Sequence, residues 1–232
     1  MTTYDPNAAA RFIADAHANR ATFENLTGVC APPTIAEAYA AQEALRSLWE
    51  SQKGAVAGLK IATTTKVMQE LMGIDHPCGG MIYADTIHAS PATLVKSDHM
   101  NPVIECELAV RLGCDLPAKA APYSRDEVRA AVGNVMAAFE IIEDRNAVYK
   151  DSDARTLIAD NAWNAGIIIG AETTVPSDLE LNGIAGQVTK NGDAVGDGRT
   201  DDPMGALAWV ANLAVERGRP MTAGMVVILS LI

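Results

Sequence analysis

The sequence predicts an α+β protein with mixed strand pairing rather than a doubly wound parallel sheet. Up to Lys53 the apolar residues recur at helical spacing. After Gly54 the pattern changes to short β-prone tracts that are broken by Gly, Pro and Asp. We therefore expect a helical N-terminal subdomain over residues 1–53 and a β-rich body over residues 54–232, folding as one cooperative unit.

Two helices are predicted in the N-terminal subdomain. The first covers about residues 6–18, with a proline at its start. The second covers residues 35–51 and is capped by Thr34. Its Ala, Leu and Trp residues follow helical spacing, so Trp49 is expected to be a core residue rather than a functional one.

The first half of the body alternates strands with short helical pieces. A strand is expected over residues 55–61, and the threonines at 63–65 cap a short helix over residues 66–72. Short β-prone pieces follow between residues 79 and 95, and residues 103–111 form a longer strand.

The second half contains three strong local signals. Ser124 and Glu127 form a capping box for a helix that ends near residue 132. Asn191-Gly192 predicts a tight hairpin, and Asp202-Pro203 begins a last helix that ends at Gly218. Further strands are expected over residues 135–142, 165–170 and 225–232.

Charge and composition exclude several classes of partner. The chain has 18 Lys and Arg against 29 Asp and Glu, a net charge of -11, which argues against binding to nucleic acid or to an anionic membrane surface. The aromatic content of 5% also disfavours a base-stacking platform. No signal peptide and no membrane span are expected. The four cysteines match no zinc or disulfide pattern, so reduced thiols in a cytoplasmic protein are expected.

The apolar tract over residues 225–232 ends the sequence on Leu231-Ile232. Such a tract needs cover from its own core or from another subunit. This pattern favours a homo-oligomer.

Glu105 and Glu107 stand in an otherwise apolar strand. Side chains alternate faces along a strand, so both carboxylates point the same way while Cys106 points the other way. Two like charges repel, and burying them unpaired costs free energy. A divalent cation removes both problems, because carboxylate oxygens are its ligands. A solvated acidic face on an exposed edge strand is the alternative.

A second carboxylate cluster lies in residues 139–145. Glu140 has apolar neighbours, a poor environment for an unpaired carboxylate. Together with Glu105 and Glu107 it would supply three oxygen ligands and leave positions for water and substrate. That donor set suits Mg²⁺ or Mn²⁺ rather than Zn²⁺. The charged residues at 143–145 could instead form a surface salt-bridge group.

Other polar positions remain ambiguous on local sequence. Lys60 is either a snorkelling edge residue or a desolvated functional amine. Asp160 and Asn161 lie between apolar runs, where a loop N-cap explains them about as well as a site does. The histidines at 17, 88 and 99 are given no role. No Gly-x-Ser-x-Gly elbow and no dinucleotide-binding fingerprint occur.

Five motifs, however, occur together along the chain. They are Gly58 to Gln69, Glu105-Cys-Glu107-Leu-Ala, Phe139 to Arg145, Ala159-Asp160-Asn161 and Asp202 to Asn212. In order and approximate spacing they resemble the 2-keto-4-pentenoate hydratases of the fumarylacetoacetate hydrolase superfamily, over about residues 5–228. The motifs are specific for the superfamily and less so for the reaction, since 4-oxalocrotonate decarboxylases look very similar.

The resemblance implies a mixed β-roll of the fumarylacetoacetate hydrolase C-terminal-domain type, with the helical N-terminal part packed against it. It implies a divalent metal, Mg²⁺ or Mn²⁺, held in the β-rich domain by Glu105, Glu107 and Glu140. It also implies that Lys60 acts in proton transfer. The other site residues that it implies are Asp160 for catalysis and Lys66, Arg145, Asn161, Cys78 and Trp163 for substrate binding.

Three departures from the family pattern affect the pocket and the roll. Cys78 stands where hydratases often carry an aspartate, so an acidic pocket residue is missing. Trp163 stands where many members have serine, which reshapes the pocket. Members usually continue beyond the strand that matches residues 225–229, so a less complete roll is expected.

The function implied is a metal-dependent hydro-lyase that adds water to a 2-hydroxy-2,4-dienoate in aromatic catabolism, giving a 4-hydroxy-2-oxoacid. A decarboxylase of the 4-oxalocrotonate type, or a C–C hydrolase, would use the same metal site. Cys78 and Trp163 would then lie where the reactions are distinguished. A catalytically weak subunit that assembles with a decarboxylase or hydratase is an alternative of another class.

Overall fold

The computed structural model describes residues 3–175 and 179–230. Within these ranges the helices are α1 (Pro6–Ala18), α2 (Ile35–Lys53), α3 (Lys66–Met72), α4 (Arg125–Ala131), α5 (Ala154–Ala159) and α6 (Pro203–Glu216). The strands are β1 (Val56–Ala62), β2 (Cys78–Tyr83), β3 (Ile87–Ala89), β4 (Pro102–Leu112), β5 (Val132–Glu143), β6 (Asn164–Ile169), β7 (Thr173–Thr174), β8 (Ala185–Lys190), β9 (Asp193–Arg199) and β10 (Val226–Ser230). No described helix has both the length and the apolarity needed to cross a membrane.

The two N-terminal helices form where their caps predict. The Asp5 side chain accepts from the backbone of Asn7 at the start of α1, and Thr34 does the same for Glu37 at the start of α2. The apolar faces of the two helices pack together, with Trp49 in the shared core. The prediction that Trp49 is a core residue is confirmed.

The main sheet mixes parallel and antiparallel pairs. Its order is β2-β1-β10-β4-β5-β6-β3, with β7 paired to β5. β1 pairs in parallel with β10, and β3 with β6, whereas the other neighbours are antiparallel. This mixed pairing confirms the predicted α+β class.

Chain connectivity forces this sheet to curl. β2 and β3 stand at opposite ends of the strand order, yet only the 3 residues Ala84–Thr86 connect them. Because one extended residue spans at most about 3.6 Å, the two edges must lie close together. Residues from both edges and from the middle strands accordingly share one buried cluster inside the curl, which includes Ile82, Ala109, Ile167 and Ile228. The sheet is therefore the predicted mixed β-roll.

The two faces of the roll have different partners. On the outer face, β4 and β10 pack against α4 and α6 through residues such as Leu108, Val110 and Val227. That cover stops before the start of β4, where Ile104 and Phe139 remain exposed. The inner face of β4 continues from Ala109 toward the two glutamates of the strand.

The predicted hairpin forms a small sheet of its own. Among the described strands β8 pairs only with β9, and both turn residues, Asn191 and Gly192, have positive φ. A type I′ turn requires a left-handed backbone conformation at two consecutive residues. Asn and Gly adopt this conformation readily, which explains the pair.

Several local expectations were wrong or incomplete. α5 was not predicted, and Asp160 lies at its C-terminal end. Asp160 also precedes the short turn over residues 161–163, but its side chain does not cap that turn. The charged residues at 143–145 are buried and do not form a surface group. The last strand is described as far as Ser230, and the expectation that Leu231-Ile232 needs cover concerns residues outside the described part.

The close approach of β1 to β10 yields a stability prediction. A Cβ atom at Gly58 would collide with the carbonyl oxygen of Val226 on the neighbouring strand. Gly58→Ala should therefore lower the free energy of unfolding by about 1–3 kcal/mol, measured by urea denaturation. Gly196→Ala is the matched control, because a Cβ atom there meets nothing within 4 Å. Its effect should stay within about 0.5 kcal/mol, and equal effects of the two variants would contradict the packing described.

Candidate metal and active site

The predicted site residues of β4 and β5 meet on the inner face of the roll. Glu105 lies directly opposite Glu140 in the register of the two strands, and Glu107 lies opposite Ala138. One oxygen from each of the three glutamates lies within 4.8 Å of the others. Glu105 is exposed, whereas Glu107 and Glu140 are buried. The three carboxylates thus form one cluster on the inner face of the roll.

Lys60 enters this cluster from β1. Its Nζ lies 2.6 Å from Oε1 of Glu140 and donates to the carbonyl oxygen of Ala162 at 2.9 Å. The lysine is only 2% exposed and stands on an interior strand, so the snorkelling edge alternative is wrong. Two strands separate β1 from β5, which in a flat sheet would place them about 14 Å apart. The curl of the sheet brings these side chains into contact.

Burial and like charge make this cluster unfavourable by itself. Burial raises the pKa of Glu107 well above its usual value, and the charges of Glu140 and Glu105 raise it further, while Lys60 lowers it. Burial also raises the pKa of Glu140, against the opposing effects of Lys60 and of a hydrogen bond from Asn164. Three carboxylates therefore share a single lysine.

The residues present fit a divalent cation. Oε2 of Glu107 is buried and finds no hydrogen-bond partner among the described residues, which is costly unless another group coordinates it. A second positive charge would also offset the excess of carboxylates. An all-oxygen donor set with an exposed member suits a hard ion that keeps water or substrate in its shell, such as Mg²⁺ or Mn²⁺.

Above the carboxylates lies a cavity of about 630 Å³. Its apolar walls come from several elements and include Met68, Leu71, Met72, Ile142, Leu157 and Trp163. Gly186 and Val188 of β8, with the stretch 196–198 of β9, complete the cavity on one side. Among the described residues that line it, Lys60 carries the one positive charge, and Asp197 adds a further carboxylate.

Trp163 forms part of the cavity wall, as its predicted place near the substrate requires. Its ring is only 4% exposed and makes edge contacts with Phe23 behind it and with Tyr149 beside it. The hydroxyl of Tyr149 donates to Asp144 at 3.1 Å, which holds the second ring in place.

Asp160 and Arg145 contact each other but do not line the cavity. Nη2 of Arg145 lies 2.5 Å from Oδ2 of Asp160, and Nε2 of His17 lies 2.6 Å from Oδ1. The carboxylate of Asp160 is thus fully engaged behind the wall that carries Trp163. The sequence-based reasoning missed His17, because nothing in the local sequence of α1 indicates a partner 143 residues away.

The remaining predicted binding residues also lie outside the cavity lining. The side-chain amide of Asn161 accepts from the backbone N–H of Met81 at 2.7 Å and donates to its carbonyl at 2.8 Å. Cys78 is fully buried, with its sulfur 3.3 Å from the hydroxyl of Thr63. Lys66 is exposed and donates to Gln69 at 3.0 Å.

Two further features of the site were not anticipated. Asn164, which begins β6, donates to Oε1 of Glu140 at 2.8 Å. Thr63 lines the cavity with φ of 54°, an unfavourable conformation for a β-branched residue. Asn164 follows the Asp160-Asn161 motif closely, so its polarity was the available signal.

Comparison with known proteins agrees with this geometry. A protein of Dechloromonas aromatica named 2-keto-4-pentenoate hydratase 2 is 30% identical over 96% of this chain and 86% of its own length. The 2-hydroxyhexa-2,4-dienoate hydratase of Comamonas testosteroni is 31% identical over 84% of this chain and 75% of its own. No protein-family model matches the chain.

The fold has a similar counterpart among solved structures. The 4-oxalocrotonate decarboxylase from Pseudomonas putida G7, complexed with magnesium and adipate, superposes with a TM-score of 0.85 at 25% identity. The match covers 98% of this chain and 87% of that one. A protein of the fumarylacetoacetate hydrolase family from Yersinia pestis, 18% identical, has the same fold with a TM-score of 0.53.

The fold is therefore the one found in fumarylacetoacetate hydrolase proteins, and the site is a centre suited to a divalent metal. The chain belongs to the 2-keto-4-pentenoate hydratase family of enzymes. The resemblance found in the five sequence motifs is confirmed.

Removal of the Glu107 charge should have opposite effects without and with metal. Because the pKa of Glu107 is higher in the folded protein than in the unfolded chain, its contribution to stability is fully present below pH 4.5 and is lost as the pH rises through the raised pKa. Glu107→Gln should therefore stabilise the metal-free protein at pH 7. The same variant should lose the stabilisation by Mg²⁺, which for wild type is about 2.7 kcal/mol at a hundredfold excess over Kd.

Urea denaturation with EDTA or with Mg²⁺ measures both effects. Glu172→Gln is the matched control, because Glu172 bonds to Arg111 and Asn134 away from the cavity. That variant should keep the response to Mg²⁺. A Glu107→Gln protein that is less stable without metal, or that still responds to Mg²⁺, would contradict the charge imbalance described.

Proposed function

We propose that the protein is a divalent-metal-dependent hydratase that adds water to a 2-hydroxy-2,4-dienoate and yields a 4-hydroxy-2-oxoacid. The observation that carries this proposal is the placement of three carboxylates and Lys60 at the base of a cavity with apolar walls. A polar base suits the carboxylate and C2 oxygen of such a substrate, and apolar walls suit its hydrocarbon end. The relatives named as hydratases support the same reaction.

Glu105, Glu107 and Glu140 would hold the metal, either Mg²⁺ or Mn²⁺. When bound, the ion supplies Lewis acidity that stabilises negative charge on the C2 oxygen of the substrate. The protein's own contribution is to keep Glu140 oriented, through hydrogen bonds from Lys60 and Asn164. Such outer contacts fix the direction of a ligating oxygen.

Lys60 would carry the proton that the reaction moves. Ketonisation of the dienol requires removal of a proton from the C2 hydroxyl and delivery of a proton to C5. Nζ of Lys60 is the nitrogen placed beside the carboxylates, and its contacts with Glu140 and Ala162 restrict its position. Addition of one water then places its hydroxyl group on C4 and its proton on C3, and the apolar walls limit the access of further bulk water at this end.

Decarboxylation of a 2-oxo-enedioate is the second candidate, because the similar solved structure is a 4-oxalocrotonate decarboxylase. That substrate carries a second carboxylate at its far end. Among the described lining residues no cation faces that end, and Asp197 would repel it. The charge of the cavity therefore favours a substrate with an uncharged end.

Other features remain predictions from the sequence. These are action in aromatic catabolism, cytoplasmic location and homo-oligomeric assembly, with a decarboxylase or hydratase as a further partner. The exposed Ile104 and Phe139 on the outer face of the roll support an interface between subunits.

The proposal predicts loss of the ultraviolet band of 2-hydroxypenta-2,4-dienoate when protein and Mg²⁺ are added. Lys60→Met should lower kcat by about 10²- to 10⁴-fold, because proton transfer by the amine is lost. Lys96→Met is the matched control, since Lys96 is an exposed lysine outside the cavity, and it should keep wild-type activity.

The same assay distinguishes the second candidate. Release of carbon dioxide from 4-oxalocrotonate without hydration of the dienoate would replace the hydratase proposal by the decarboxylase. An unchanged kcat in Lys60→Met would remove the lysine from the mechanism. Failure to act on either substrate with Mg²⁺ and with Mn²⁺ would support the catalytically weak subunit.

A further inference from the structure

The short segment Asn161–Trp163 has an unusual backbone. Its three residues have φ values of 53°, 47° and 58°, all in the left-handed region, and none of them is glycine. Each such residue costs roughly 1–3 kcal/mol unless its surroundings enforce the conformation. Backbone strain of this kind is often found at functional sites, so the groups that the turn contacts show which part of the site it supports.

The turn delivers two groups to the site. Its middle residue, Ala162, presents the carbonyl oxygen that accepts from Nζ of Lys60 at 2.9 Å. Its last residue, Trp163, contributes to the wall of the cavity. In a right-handed turn the carbonyl of Ala162 would point elsewhere, so the contact with Lys60 depends on the strained conformation.

The turn is held from both sides. Before it, the carboxylate of Asp160 is fixed between Arg145 and His17 and is completely shielded from solvent. Within it, the amide of Asn161 pairs with both backbone groups of Met81 on β2.

The neighbouring strand is shaped to receive the turn. Gly80 stands opposite Lys60 in the sheet register. A Cβ atom there would lie 2.7 Å from the carbonyl oxygen of Asn161 and 2.9 Å from the side chain of Lys60. Glycine at this position therefore allows the turn and the lysine to approach each other.

We propose that Asp160 and Asn161 are positioning residues that lock a left-handed turn, so that the carbonyl of Ala162 orients the amine of Lys60. This inference deepens the proposed function and rests on the role given there to Lys60. Neither Asp160 nor Asn161 lines the cavity, so neither would touch substrate. Through the contact of Asp160 with His17, the N-terminal helix α1 also helps to hold the turn in place.

The physical reason is the number of acceptors around the amine. With Glu140 as its remaining acceptor, Nζ would be free to rotate about that one contact toward the carboxylate cluster. The carbonyl of Ala162 supplies a second, uncharged direction that keeps the amine at a fixed point of the cavity base. Misplacement of a reacting group by about 1 Å costs about 100-fold in rate.

The first test removes the two hydrogen bonds between the Asn161 amide and the backbone of Met81. Asn161→Gly removes both amide contacts and still tolerates positive φ, so kcat should fall about 10- to 100-fold while KM changes less than threefold. Asn212→Ala is the matched control, because the Asn212 amide pairs with both backbone groups of Tyr123 in the same way, outside the cavity. It should lose comparable stability and keep its kcat. Equal losses of kcat in the two variants would overturn the proposal.

The second test does not require the replacement of a buried residue on the turn. His17 is 21% exposed, so His17→Ala should fold, and it should lower kcat several-fold. His17→Gln keeps a donor for Asp160 and should restore most of the activity. A His17→Ala protein with wild-type kcat would count against the coupling of α1 to the turn.

Crystal structures separate failure of this inference from failure of the proposed function, because they need no substrate. In Asn161→Gly the distance between Nζ of Lys60 and the carbonyl oxygen of Ala162 should exceed 3.5 Å, while the contact with Glu140 persists. Retention of the 2.9 Å contact in this variant would overturn the inference even if the dienoate is hydrated. If the distance from Lys60 to Ala162 lengthens in Asn161→Gly and the protein does not hydrate the dienoate, the positioning role of the turn is supported and the proposed substrate is rejected.

Discussion

The contact between Lys60 and Glu140 is the constraint on which the rest of the site depends. The two side chains come from strands separated by two others, and they meet at 2.6 Å with 2% exposure each. A flat sheet cannot make this contact, so the ion pair depends on the curl of the roll. Removal of either partner would leave a buried charge uncompensated.

The pair also accounts for the chemistry that the site supports. One lysine cannot neutralise three carboxylates, and within the described part of the chain the buried oxygen of Glu107 has no hydrogen-bond partner. The repulsion in such a cluster is relieved when a cation shares it or when a carboxylate retains its proton. Repulsion among the three carboxylates therefore both destabilises the metal-free cluster and favours the binding of a divalent ion. The helical N-terminal part contributes through His17, which supports the turn behind Lys60.

The local sequence predicted those helices, turns and strands that are determined by interactions between residues close together in the chain. Caps at Thr34 and Ser124, the Asn191-Gly192 turn and the alternation around Glu105 gave elements close to the observed ones, because each signal acts within a few residues. Strand alternation also placed Glu105 and Glu107 on one face, but a solvated acidic face remained an alternative. The full set with Glu140 was implied by the resemblance to the hydratases, and the structure brings the three carboxylates together.

Strand order, by contrast, lies outside the reach of local patterns. Lys60 was ambiguous because nothing near it reveals that β1 lies between β2 and β10. His17 was given no role and Asp160 was left open on local sequence for the same reason, since their hydrogen bond joins distant parts of the chain. Such contacts depend on the tertiary structure of the roll and cannot be read from the sequence around each residue.

The three glutamates on the inner face are expected to form one site for a divalent cation. Calorimetric titration of the metal-free protein with Mg²⁺, in two buffers of different ionisation enthalpy, measures this binding. We expect one ion per chain, with a release of protons that grows as the pH is lowered, because the pKa of Glu107 is raised before the metal binds. Glu105→Ala and Glu140→Ala should abolish the binding. No binding by wild type, or binding that persists in both variants, would show that the glutamates do not form this site.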